Sequence, residues 1–375
     1  MITSDIWQAK ELRLLIMAAS LVIVIAGMKA AAGLLVPFFL AALISVMTIS
    51  PFLWLRTKGV PSLLAIFLVI AAVVIIAGSI GAYIGVSLNT FIEALRGYQD
   101  RLRSELGTVL VWFEARGFKV SERYFFELLN PGVAMDVVAN ILKGLSSVLT
   151  YTLLILFTVV FILLEASSLP IKLHAATSDP ASSLATLEKI FTSVRRYLVL
   201  KTWISLATGV AVTIWLIVLD RNYPLLWGFV AFLLNFVPNI GSLIAAIPPI
   251  LLALINTGPL ASMLVGLGYL VINVSCGNLI EPRVLGRGLG LSPLVVFLSL
   301  VFWGWILGPV GMLLSVPLTM IVKITLEMFE STRWLAILLG SSASAEAAIK
   351  ERERPSGRQA GDPGPPHVDH EEIPS

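Results

Sequence analysis

From Ser62 to Leu88 the chain carries no charged side chain. A helix needs about 20 apolar residues to cross the roughly 30 Å of hydrocarbon in a bilayer. In that medium every backbone amide must be bonded within the protein, so only helices or closed barrels can span it. Barrel strands alternate apolar and polar residues in short segments. Here the runs are long and unbroken, which selects the helix.

The same reading recurs along the chain. Leu12–Ala32, Leu34–Leu55, Ser62–Leu88, Gly144–Leu164 and Thr202–Leu219 each have the length of a span. Two longer regions, Tyr223–Asn256 and Ser292–Glu327, flank Gly258–Asn278. As straight helices each of the two would extend about 50 Å at 1.5 Å per residue. Each must therefore tilt, break or fold back. The fold class expected is all-α: a polytopic helical membrane protein with about seven to eight spans. Composition agrees, with 57% hydrophobic and 13% charged residues. Soluble domains carry about 25% charged residues.

Four segments follow. Residues 1–88 hold spans one to three, 89–143 an insert, 144–340 the remaining spans with the broken regions, and 341–375 a tail. In the insert Phe91, Leu95, Leu102, Leu106, Leu110 and Phe113 recur mostly at helical spacing, with Glu93, Arg96, Asp100, Arg103 and Glu105 on other faces. That pattern predicts an amphipathic helix. The tail is rich in Pro, Gly and charge and lacks apolar periodicity, so disorder is expected. Basic residues collect at Arg56/Lys58 and in a polar loop, Ala166–Leu200, with Lys201 at its edge. The positive-inside rule puts these in the cytoplasm and the insert outside. Leu12–Ala32 has span length and no small-residue cleavage site, so it is not read as a signal peptide.

Several functions lose their usual residues. There is no phosphate-binding G-x-x-x-x-G-K-[ST] loop, so the chain is no ATP-driven motor by itself. It has neither H-E-x-x-H nor G-x-S-x-G, and no His in any span, which argues against a protease or hydrolase. The net charge of +3 comes without a basic stripe interleaved with aromatics, so nucleic acid is not an expected partner. Cys276, the single cysteine, lies in an apolar run and reads as packing. No cofactor and no metal site are expected.

The candidate site is the stretch 278–317. Glu281, Arg283 and Arg287 sit in a Gly/Pro-rich loop between long apolar runs. Charge and broken backbone beside hydrocarbon are costly, so they mark either a solute clamp or gate, or a salt bridge that braces a loop. Two Pro/Gly segments also resemble each other: Pro238 to Pro249, and Gly308 to Pro317. Proline removes an amide donor and frees a carbonyl. Paired interruptions of this kind point to a transporter site. Pro238, Pro248, Pro249, Pro282, Pro309 and Pro317 are the expected breaks. Asn239, Gly241, Ser242 and Ser315 join Glu281, Arg283 and Arg287 as candidate solute or gate residues.

Three strings carry a resemblance: YLVLKTWISLATG from Tyr197, PNIGSLIAAIPPI from Pro238, and GNLIEPRVLGRGLGLSPLVVFLSLVFWGWILGPVGMLLSVPLTMIVKI from Gly277. Together they resemble the autoinducer-2 exporter family, over about Leu12 to Leu339. Positions matching the family motif are Pro238, Asn239, Gly241, Glu281, Pro282, Arg283, Gly286 and Pro317. The resemblance implies a multi-pass protein of the bacterial inner membrane that moves a small solute and forms a homo-oligomer amid membrane lipid. One branch of the family is associated with export of autoinducer-2, a small furanone-derived signal; other members look like sodium/proton antiporters. Export of a small polar signal, monovalent cation (sodium or lithium)/proton antiport and a membrane scaffold all remain open at this point.

Overall fold

A computed structural model describes residues 10–83, 85–87, 115–116, 151–166, 168–176, 180–238, 240–281, 283, 290–342, 345–346 and 349. The amphipathic insert, apart from Ala115 and Arg116, lies outside these residues, as does the tail beyond 349. So do the candidates Asn239, Pro282 and Arg287.

The described chain is helical: α1 (Lys10–Ala30), α2 (Ala32–Thr57), α3 (Ser62–Ser87), α4 (Thr152–Ala166), α5 (Leu169–Ala176), α6 (Pro180–Val218), α7 (Pro224–Leu234), α8 (Gly241–Thr257), α9 (Pro259–Asn273), α10 (Pro293–Met328) and α11 (Arg333–Leu339). Five of them, α2, α3, α6, α9 with its extension and α10, are long and apolar enough to cross a membrane. Four more, within α1 and at α4, α7 and α8, are apolar but shorter.

α6 is the spine. It replaces the expected polar loop and fifth span by one unbroken helix. The loop reading failed because the charges Glu188, Lys189, Arg195 and Arg196 were taken as a linker. They are exposed on helical turns. The other face of α6 carries Val194, Tyr197, Leu198, Ile204, Val212 and Leu216, all buried. Such a helix, polar first and apolar later, is stable because its inner stripe packs from Val194 to Leu216.

Three elements run antiparallel along α6. α7 returns beside it, with Gly228 so near Gly209 that an added Cβ would stand 2.7 Å from the Gly209 carbonyl oxygen. α9 does the same, Trp215 Nε1 donating to the Leu264 carbonyl at 3.2 Å. The last arm of α10 follows, with Lys189 Nζ on Glu327 Oε2 at 2.8 Å. α1, α2, α3 and α4 flank this unit. Ala41, Phe52, Ile66, Val69, Val159 and Leu163 form a core between α2, α3 and α4.

Both long regions fold back as hairpins. In the first, α7 ends at Leu234 and α8 starts at Gly241. The open end is closed by Arg221 Nη1, just before α7, donating to Thr257 Oγ1 at the end of α8, at 2.5 Å. In the second, α10 reverses at Gly308, whose φ of 70° and ψ of −155° suit glycine alone. Trp303 Nε1 donates to Thr319 Oγ1 at 3.0 Å. Along a straight helix that separation would be roughly 24 Å, so the two arms lie side by side.

Proline acts differently from the expectation at three of the six sites. Pro238 lies in the first bend and Pro309 opens the returning arm of the second. Pro248 and Pro249 are buried inside α8, and Pro317 inside α10, and both helices continue through them. A proline removes one amide donor and crowds one turn. Dense packing around these buried rings holds the helix, so they do not break it.

Candidate functional site

The two hairpins open toward opposite ends of α6. The first is closed at Arg221–Thr257, beyond the C-terminal end of α6. The second is held by Glu327 against Lys189, near its N-terminal end. Asn235, the first residue of the first bend, donates from Nδ2 to Ser205 Oγ at 3.0 Å. From Glu327 back to Gly308 the second arm climbs roughly 28 Å, which on α6 is the rise from Lys189 to about Thr208. Both bends thus fall near one level of α6.

That level carries the polar stripe of an otherwise apolar face. Lys201, Ser205 and Thr208 follow one another at helical spacing and are buried, with Tyr197 one turn before. Thr208 Oγ1 is satisfied by the Ile204 carbonyl at 2.9 Å. Lys201 is different. A lone ammonium cannot be buried cheaply, and this one is 2% exposed. Its partner is Glu281, with Nζ to Oε1 at 2.6 Å.

Glu281 reaches Lys201 because α9 changes pitch. Val274–Ile280 form a π-helix, and the Glu281 amide donates to the Cys276 carbonyl five residues back. At 100° per residue in an α-helix, Glu281 would stand about 140° away from Cys276. With i→i+5 turns the two come close to one face. Cys276 is buried there, which agrees with its reading as packing.

The bends are tight. A Cβ on Gly241 would run into the Leu234 carbonyl, and one on Gly311 into the Trp303 carbonyl. In each hairpin a glycine early in the returning arm lets it approach the end of the outgoing one. This is the physical content of the similarity between the two Pro/Gly segments. On the far side of the second bend Lys29 Nζ stands 3.9 Å above the Trp305 ring.

The other candidates divide. Arg283 is exposed, so Glu281 is braced by a residue the loop reading did not include. Ser242 is half-buried in the first turn of α8. Ser315 is fully buried and donates to the Met312 carbonyl at 2.8 Å. Lys201, Ser205 and Thr208 were missed as site residues, although their spacing of four and three in YLVLKTWISLATG was a signal. Among the described residues no three of His, Cys, Asp and Glu come together as a metal site would require. The stripe offers an ion pair, hydroxyls and an amide, which suits contact with a polar solute.

The model of the AI-2E family transporter matches residues 17–331. The chain is 42% identical over 329 residues to "AI-2 transport protein TqsA" of Escherichia coli (strain K12), covering 88% of this chain and 95% of that protein. It is 37% identical over 329 residues to "Putative transport protein YhhT" of the same strain, covering 88% and 94%. A similar match, 38% identical over 336 residues, covers 88% of this chain and 96% of a "Putative transport protein" of Haemophilus influenzae.

Proposed function

The chain belongs to the AI-2E transporter family, and from that premise we propose that it exports a small polar signal, autoinducer-2, across the bacterial inner membrane without an ATPase of its own. The observation that carries this reading is the buried stripe of α6. Lys201 with Glu281, and Ser205 with Asn235, stand where the two hairpins turn. Buried polar groups among apolar helices are expensive and mark solute paths. Two broken segments meeting at one level are the usual surroundings of such a path. Similarity to TqsA, 42% identical over 88% of this chain, supports the choice of cargo. Assembly as a homo-oligomer, implied by the resemblance, belongs to the same proposal, and crosslinking in native membranes tests it.

The flux test is direct. Proteoliposomes loaded with labelled autoinducer-2 lose it faster than protein-free vesicles, and Lys201→Met slows the loss. Equal leakage from both vesicle types overturns the reading. One observation favours a second reading, monovalent cation/proton antiport: Glu281 is a carboxylate held against a buried cation inside the bundle. A pH dye in vesicles pulsed with sodium or lithium decides it. Proton movement supports antiport, and its absence excludes it.

A further inference from the structure

A cavity lies away from the polar stripe. It measures about 760 Å³ and is walled by α2, α4, α5 and α6, with Ile321 of α10 behind. Single-ligand sites span about 300–1,000 Å³. Its walls are hydrocarbon, Leu43, Val46, Ile162, Leu187 and Phe191 among them. Three polar side chains reach it: Ser45, Glu165 and Glu188. Ser45 is satisfied by its own helix, donating to the Ala41 carbonyl at 2.7 Å. Glu165 is bridged by Lys172 at 2.5 Å and accepts from Ser168. Glu188 is exposed and forms no ion pair or hydrogen bond among the described residues. The occupant this chemistry fits has a long apolar body and one cationic, hydrogen-bonding head.

We propose that this cavity binds a phosphatidylethanolamine, its acyl chain between α2, α4 and α6 and its ammonium on Glu188. A choline head has no N–H to donate to Glu188, and a glycerol head has no cation. The full-length protein, extracted from vesicles of equal parts phosphatidylethanolamine, phosphatidylcholine and phosphatidylglycerol, is examined by native mass spectrometry for retained lipid. The ethanolamine lipid is retained over each of the others by about five- to ten-fold, the worth of one charge-assisted hydrogen bond. Glu188→Gln abolishes that preference but keeps the total retained. Ala42→Trp, which fills the cavity from α2, removes retention of all three. Equal retention of the three lipids overturns the proposal. So does a preference for phosphatidylglycerol, an unchanged preference in Glu188→Gln, or a monodisperse native protein that retains none. Glu188 lies on an exposed turn, so its variant folds whether or not Ala42→Trp does.

Discussion

Lys201 and Glu281 are joined across two helices at 2.6 Å but are unequally buried, 2% against 24% exposed. The inequality sets the order of their variants. Glu281→Gln leaves an ammonium deep in the bundle without its counter-charge. Lys201→Met leaves a carboxylate that still touches water. Breaking a buried pair costs about 3–5 kcal/mol, so Glu281→Gln approaches that loss and Lys201→Met falls short of it. The double variant Lys201→Met with Glu281→Leu regains most of the stability, because an apolar pair of similar size replaces both charges. Thermal unfolding in detergent checks the order. Flux then separates a brace from a gate: a brace regains transport with stability in the double variant, and a gate does not.

Asn235 and Ser205 tie the first bend to the spine. Ser205→Ala leaves a buried amide unanswered and costs about 1–3 kcal/mol. Asn235→Leu together with Ser205→Ala removes both polar partners and destabilises less than Ser205→Ala alone. Thr208→Val is the internal control. Its hydroxyl bonds only its own helix, so its effect on unfolding is small, and a slower autoinducer-2 flux in this variant assigns Thr208 to the solute path. Unfolding and flux measured on the same preparations check all three.

Much of this was legible in the sequence, and the failures have physical causes. The class follows from run length, and so does the expectation that the two long regions tilt, break or fold back; the structure selects folding back. Glu281 could be singled out because an acid beside Pro and Gly in an apolar context is expensive. Its partner could not. In an α-helix Glu281 would stand about 140° from Cys276; the π-helix brings the two toward one face, and no residue type announces that change of pitch. Lys201 was hidden by its neighbours: Arg195 and Arg196 are exposed, and charge so close in sequence made the whole segment look like a loop. Pro248, Pro249 and Pro317 show the converse error. Proline predicts a missing hydrogen bond, while packing decides whether the helix ends.

Close approach at the bends makes two glycines intolerant. Gly241→Ala and Gly311→Ala put a Cβ onto the carbonyls of Leu234 and Trp303. Backbone cannot yield as a side chain tip does, so both variants lose folded protein, by about 2 kcal/mol or more for a strained, overpacked site. Gly27→Ala lies in open space on α1 and keeps or slightly raises stability, since alanine is the better helix former by about 1 kcal/mol. Yield of monodisperse protein and its unfolding temperature check the contrast. Equal behaviour of all three would remove the packing account of the bends.

The hairpins also fix which residues share a side of the membrane. Arg283 precedes α10 and Glu330 follows it, and both are exposed. A straight α10 would place them on opposite sides. The reversal at Gly308 places them on the same side, and the basic residues Arg56, Lys58 and Lys172 predict that this side is the cytoplasm. Asn256, exposed at the end of α8, then faces outward with the open end of the first hairpin. In a Cys276→Ser background, an impermeant maleimide applied to intact cells labels Asn256→Cys and leaves Arg283→Cys and Glu330→Cys unmodified. Permeabilised cells label all three. Labelling of Glu330→Cys but not Arg283→Cys in intact cells would mean a straight crossing by α10. Labelling of both together, with Asn256→Cys silent, would keep the hairpins and invert the protein in the membrane.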